Sequence, residues 1–142
     1  MRKSLVVHAA NGVPCLTGAF SDTLDSKPVA ILGAHGRLGA AITQHLQDCG
    51  FAVFSIDLSR SCQCTDGSDL LGTAADWELQ FDDLWRQASE FLDSPHPMRS
   101  LITATRARTL GGQEGNDPSC GDLEEQLTAT VRAPIAAAVS LL

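Results

Sequence analysis

The chain has 142 residues, of which 44% are hydrophobic, and its formal net charge is −7 at pH 7. A chain of this length forms one domain with a buried core, and its acidic balance argues against nucleic acid or an anionic membrane as a partner, because both need clustered positive charge. The five cysteines are odd in number and follow no disulfide framework, which favours a reduced, cytoplasmic setting.

The first residues carry no clear periodic pattern. The short apolar run Leu5-Val6-Val7 is interrupted at once by His8 and then by Asn11. This interruption comes too early for a signal peptide, and no run in the chain approaches the length that crosses a bilayer. The sequence therefore predicts an irregular N-terminal extension over residues 1–27 and a folded domain over residues 28–142.

Residues 28–57 have the pattern of a strand, a helix and a second strand. Pro28 to Leu32 is a short apolar run that ends at a glycine, as a buried parallel strand does. From Leu38 to Cys49 the apolar residues recur with helical spacing, and Gly50 follows as a helix stop. The run from Phe51 to Ile56 predicts the second strand, which completes one βαβ unit.

The middle of the chain predicts one long amphipathic helix. Residues 59–75 are polar, and only a weak strand pattern lies near residues 62–65. Apolar residues then recur at helical spacing from Trp77 to Leu92, with Asp76 placed to cap the start. Two prolines follow and end the helix.

The last third predicts a strand and a final helix. Ser100 to Ala104 has a strand pattern, and a loop follows over about residues 105–121. Asp122 and Glu125 form a capping box at the start of the last helix, and Pro134 predicts a bend or two shorter helices. Alternating strands and helices predict an α/β fold with an incomplete doubly wound parallel sheet of about four strands and helices on both faces.

The turn between the first strand and the first helix has the spacing Gly33-x-x-Gly36-x-x-Gly39. The first glycine permits a tight turn, the second lets the backbone approach a pyrophosphate, and the third lets helix and strand pack closely. Asp57 ends the second strand, where a carboxylate hydrogen-bonds the hydroxyls of an adenosine ribose. The pattern predicts dinucleotide binding; a tight connection without a ligand is the alternative.

Asp57 favours NAD over NADP, because a carboxylate repels a 2′-phosphate, whereas Arg37 and Arg60 would attract one. The cofactor is therefore predicted to be NAD or NADP, with NAD preferred. The predicted cofactor-binding residues are Gly33, His35, Gly36, Arg37, Leu38, Gly39, Asp57, Leu58 and Ala104.

No metal site is predicted. Cys62 and Cys64 are the only closely spaced cysteines, and a structural zinc site takes four ligands, typically from two such pairs. The four histidines are scattered and form no His-x-x-x-His pair.

Two stretches of this chain resemble the short-chain dehydrogenase/reductase family. The first is the strand, glycine turn, helix and strand of residues 28–58, whose glycine spacing is closer to the extended and atypical members than to the commonest one, and whose "GAHGRLG" and "FAVFSIDLS" look similar to dihydropteridine-reductase-type members. The second is the predicted helix of residues 122–135, which is similar to the family's helix after the fourth strand. The resemblance implies a Rossmann-like domain that binds NAD(P).

The chain departs from the family pattern where catalysis is concerned. Thr130 stands where the family's helix carries a proton-relay asparagine, and residues 103–106 differ from the family's Asn-Asn-Ala-Gly. The sequence has no tyrosine, so the family's Tyr-x-x-x-Lys is absent, and no lysine follows Lys27. The resemblance therefore implies a partial, cofactor-binding portion of such an oxidoreductase, without a catalytic residue of its own.

Two other functions stay open at the level of sequence. One is a non-catalytic module that senses a nicotinamide dinucleotide, and the other is the cofactor domain of a prephenate-dehydrogenase-type enzyme. An incomplete fold would also leave Leu127, Val131 and Val139 exposed on the 122–142 helix. Such a stripe predicts a homo-oligomer or a complementing chain as a further partner.

Overall fold

A computed structural model describes residues 3–6, 16–21, 27–58, 74–105 and 127–142 of the chain. They form five strands, three α-helices and one π-helical segment. In chain order the elements are β1 (Lys3–Val6), β2 (Leu16–Phe20), β3 (Val29–Leu32), α1 (Arg37–Asp48), β4 (Val53–Leu58), α2 (Ala74–Leu92), β5 (Ser100–Thr103), the π-helical segment Thr128–Arg132 and α3 (Ala133–Ser140).

The strands form one mixed sheet in the order β1-β2-β4-β3-β5. The three strands β4, β3 and β5 are parallel, whereas β1 and β2 pair antiparallel with each other and β2 pairs antiparallel with β4. The fold is therefore α/β, as predicted, but the sheet is mixed rather than parallel, and its five strands are compatible with only part of a Rossmann-like fold.

Side chains alternate across the parallel strands and build a core on each face of the sheet. On one face, Ile31 and Val53 pack with Ile42 and Leu46 of α1. On the other face, the neighbouring residues Leu32 and Phe54 join a larger core with α2 and α3. Both faces of β3 are covered and all four of its residues are buried, which explains its continuous apolar sequence.

Aromatic rings fill the core on the α2 face. Phe54 stacks on Phe20 with ring centroids 4.1 Å apart, and Phe20 stacks in turn on Phe91 at 5.0 Å. Trp85 belongs to the same cluster, and its ring makes an edge contact with that of Phe54, with centroids 6.2 Å apart. Gly18 of β2 lies against the Phe54 ring, in the space that a Cβ would take. β2 is thus an integral strand of the sheet, and its glycine leaves room for the Phe54 ring.

The C-terminal helix packs through small residues. Ala133, Ala136 and Ala137 are its buried side chains, and Ser140 accepts a 2.8 Å hydrogen bond from the indole N–H of Trp85. The larger apolar side chains lie on the other side: Leu127, Val131, Ile135 and Val139 are between 43% and 57% exposed. The predicted exposed stripe is confirmed, and it also includes Ile135.

The helix changes from π-helical to α-helical geometry close to Pro134, where the sequence predicts a bend or two shorter helices. The π-helical segment ends at Arg132, and α3 begins at Ala133 with the proline in its first turn. A proline is tolerated there because the first N–H groups of an α-helix have no intrahelical acceptor.

Two sequence predictions need correction. The N-terminal extension is not irregular throughout, since residues 3–6 and 16–20 are strands of the sheet. Pairing with β4 makes residues 16–20 a strand. The sequence did not indicate this strand, because Gly18 interrupts its short apolar pattern. Asp76 is the third residue of α2 and not its cap, because the helix already begins at Ala74.

The predictions for residues 62–65 and for the capping box at 122–125 lie outside the described residues. Among the helices that the structure describes, none has the length and apolar character that a bilayer crossing requires.

Candidate functional site

The glycine turn lies where the direction of the sheet's connections reverses. The chain leaves β3 through α1 to reach β4 on one side, and returns past β3 through α2 to reach β5 on the other side. The two connections run over opposite faces of the sheet, because α1 covers one face and α2 covers the other. In open α/β sheets, such a switch point is where ligands bind.

Two of the three glycines are required by the turn itself. Gly33 has a φ of 83°, and a Cβ there would lie 2.8 Å from the carbonyl oxygen of Ala104. A Cβ on Gly39 would collide with the backbone of Gly33, including its carbonyl carbon at 2.8 Å. Any larger residue at these positions would force the strand, the turn and α1 apart.

Gly36 is different, because the described residues leave room for a side chain there. It has an ordinary φ of −69°, and the nearest atom to an added Cβ is the Gly33 carbonyl oxygen at 3.5 Å. It is the N-cap residue of α1, yet it supplies no side-chain cap to the helix. No contact within the described part of the chain therefore requires a glycine here, whereas close approach of a ligand to the helix N-terminus would.

The N–H groups of the turn are used within the protein, which pre-organises its shape. Two of them donate to the carbonyl of Ile56 in β4, one donates to Asp57, and one closes the turn on itself. The bonds are Gly33 N–H to Ile56 O (2.9 Å), Ala34 N–H to Ile56 O (3.2 Å), His35 N–H to Asp57 Oδ2 (2.7 Å) and Gly36 N–H to Gly33 O (3.2 Å).

The other N–H groups near the turn belong to the first turn of α1. Ala40 makes the first intrahelical bond, to Gly36 O at 2.8 Å, so Arg37, Leu38 and Gly39 have N–H groups without an acceptor inside the helix. These groups and the helix dipole favour an anion at this point. Leu38 is 64% exposed beside them, and Arg37 is exposed as well.

Asp57 lies beside the turn and not at a distance from it. Its Oδ2 accepts the His35 N–H, and the His35 Nδ1 is 3.8 Å from the same oxygen. The Asp57 side chain is 21% exposed and that of His35 is 53% exposed, so both border solvent. The carboxylate therefore joins the end of β4 to the glycine turn, a role that the sequence pattern did not indicate.

The structure brings most of the predicted cofactor-binding residues together. Ala104 follows β5 and donates to Leu32 O at 2.8 Å, which places it next to Gly33. Leu58 is the last residue of β4 and pairs with Leu16 of β2. The turn residues and Asp57 lie between these two points, whereas Arg60 lies outside the described residues.

In the described part of the chain, no group of three or more histidine, cysteine, aspartate or glutamate side chains is placed to hold a metal. Comparisons with protein-family models, curated proteins and solved structures found no match to this chain.

Proposed function

We propose that this chain is the NAD(P)-binding portion of a short-chain dehydrogenase/reductase-type oxidoreductase and has no catalysis of its own. The observation that carries the proposal lies at the N-terminus of α1, at the switch point of the sheet. The N–H groups of Arg37, Leu38 and Gly39 have no acceptor within the helix, and Gly36 beside them leaves space for a ligand. Asp57 lies beside these donors and supplies the carboxylate that such a site uses.

The arrangement of the parallel strands supports a Rossmann-like assignment for the domain. β3, the first of the three parallel strands in the chain, lies between the second, β4, and the third, β5, an order that is compatible with part of a doubly wound sheet. The antiparallel strand β2 lies where such a sheet would continue with another parallel strand. The proposed domain is thus a partial Rossmann-like unit whose sheet is completed by a hairpin.

In the proposed complex, the pyrophosphate accepts hydrogen bonds from the N–H groups of Arg37, Leu38 and Gly39. Gly36 leaves the space through which it approaches, and Asp57 accepts hydrogen bonds from the ribose hydroxyls. The Asp57 carboxylate favours NAD, because it would repel the 2′-phosphate of NADP.

A non-catalytic module that senses the dinucleotide is the second candidate. The observation that favours it is the composition, since these 142 residues contain no tyrosine to act as the family's proton donor. For both candidates we propose a cytoplasmic protein. In both, a second copy of the chain or a complementing chain packs against the exposed apolar stripe, which consists of Leu127, Val131, Ile135 and Val139.

The test is a titration of the purified chain with NADH and NADPH, followed by cofactor fluorescence, with a Gly36→Asp variant. Aspartate is a favourable N-cap residue and fits the space at this position, so the variant should keep the fold and its melting temperature. Its carboxylate would occupy the helix N-terminus and repel the pyrophosphate. We expect saturable binding by the wild-type chain, tighter for NADH, and no binding by the variant.

The matched control is Ala41→Asp, which adds the same charge to an exposed position further along α1. It should bind as the wild-type chain does. Absence of binding by the folded wild-type chain, or equal binding by Gly36→Asp, would overturn the proposal. Equal loss in both variants would mean that net charge, and not the turn, controls affinity.

A further inference from the structure

A histidine and a cysteine lie side by side at the far end of α1. His45 and Cys49 are four residues apart, which places them on the same side of the helix. The Nε2 of His45 is 3.8 Å from the Sγ of Cys49, and both residues are exposed. α1 has 12 residues, and at a rise of about 1.5 Å per residue this end lies about 18 Å from the glycine turn.

The separation of these two atoms suits a single zinc ion. Zinc–sulfur bonds are about 2.3 Å long and zinc–nitrogen bonds about 2.0–2.1 Å, so a tetrahedral angle at the metal separates the donor atoms by about 3.6 Å. The observed separation of 3.8 Å is close to this value. A thiolate and an imidazole are also ligands that zinc prefers.

The electrostatic surroundings favour a cation. Cys49 is the C-cap residue of α1, where the helix dipole carries partial negative charge. Asp48 adds a carboxylate next to the pair, and its Oδ1 is held by Gln44 Nε2 at 2.7 Å. Arg37, the only arginine or lysine of α1, lies at the opposite end of the helix.

We propose that His45 and Cys49 form a two-ligand site for Zn²⁺ on the surface, with water in the remaining positions. On binding, the Cys49 thiol releases its proton to solvent and the sulfur bonds the metal, so no redox step is involved. The sequence expectation of no metal site rested on cysteine pairs and His-x-x-x-His spacing. It passed over the mixed spacing His45-x-x-x-Cys49, which is the signal for this site.

The test is a calorimetric titration of the reduced full-length chain with Zn²⁺, repeated with Cys49→Ser and His45→Gln. We expect saturable binding of one ion per chain, lost in both variants. A Cys62→Ser/Cys64→Ser variant is the control and should bind as the wild-type chain does. Cobalt(II) should give a thiolate-to-metal absorption band in the wild-type chain and in the control, but not in Cys49→Ser.

Circular dichroism checks that each variant is folded, and the two ligand variants test the site independently. The proposal is overturned if the wild-type chain shows no saturable binding. It is also overturned if Cys49→Ser still binds zinc, or if the Cys62→Ser/Cys64→Ser variant is the one that loses it.

Discussion

The two faces of the sheet differ in how much they bury. Among the described residues, the α1 face has three fully buried core residues, Ile31, Ala34 and Val53, supported by half-buried neighbours. The α2 face has fourteen, including five aromatic rings. The candidate ligand site begins at α1, on the lightly packed side. Packing against α2 and α3 therefore supplies most of the stability of the fold. The glycine turn contributes less to the core, so its conformation can suit the proposed ligand.

The largest expected effect comes from removing the ring at the centre of the α2 face. Phe54→Ala would delete the stacking on Phe20 and the edge contact with Trp85, and it would uncover Gly18. We expect the free energy of unfolding to fall by about 3–5 kcal/mol, measured by urea denaturation. A loss below about 1 kcal/mol would contradict the view that this face holds the fold together.

A matched pair of isoleucines compares the two faces directly. Ile56 and Ile31 are both fully buried, one in each core. Replacing either by alanine costs about 2–5 kcal/mol, and the cost depends on how far neighbours can collapse into the space. Ile56→Ala should approach the upper end, because its cluster includes five aromatic rings, which leave less freedom to collapse into a cavity. Ile31→Ala should approach the lower end, because half-buried Ile42 and Leu46 can relax inward. Equal losses would contradict the comparison.

The smallest expected effect is a gain in stability on the α2 face. Gln80 is 6% exposed, and neither its Oε1 nor its Nε2 has a hydrogen-bond partner in the part of the chain that the structure describes. Gln80→Met keeps the size and removes the unpaired amide, so we expect unfolding to cost about 1 kcal/mol more. Gln87→Met, on a less buried part of α2, should change little. Destabilisation by Gln80→Met would mean that the amide makes a stabilising hydrogen bond in the folded protein.

The β3–α1–β4 unit was predictable because its signals are local. An apolar run, a glycine turn and a helical pattern follow one another within 30 residues, and the structure has each element where the sequence places it. The strand β2 was not predictable in the same way, because Gly18 weakens its pattern and its pairing with β1 and β4 involves residues outside the strand.

The sequence by itself determined the strand-turn-helix unit, the long helix α2 and the positions of the turn glycines, because each has a local sequence pattern. The tertiary structure decided the antiparallel edge of the sheet, the bond from Asp57 to the turn and the face that α3 buries. These depend on residues far apart in sequence. In α3, close approach to α2 selects small alanines for the interface, which leaves the larger apolar side chains exposed.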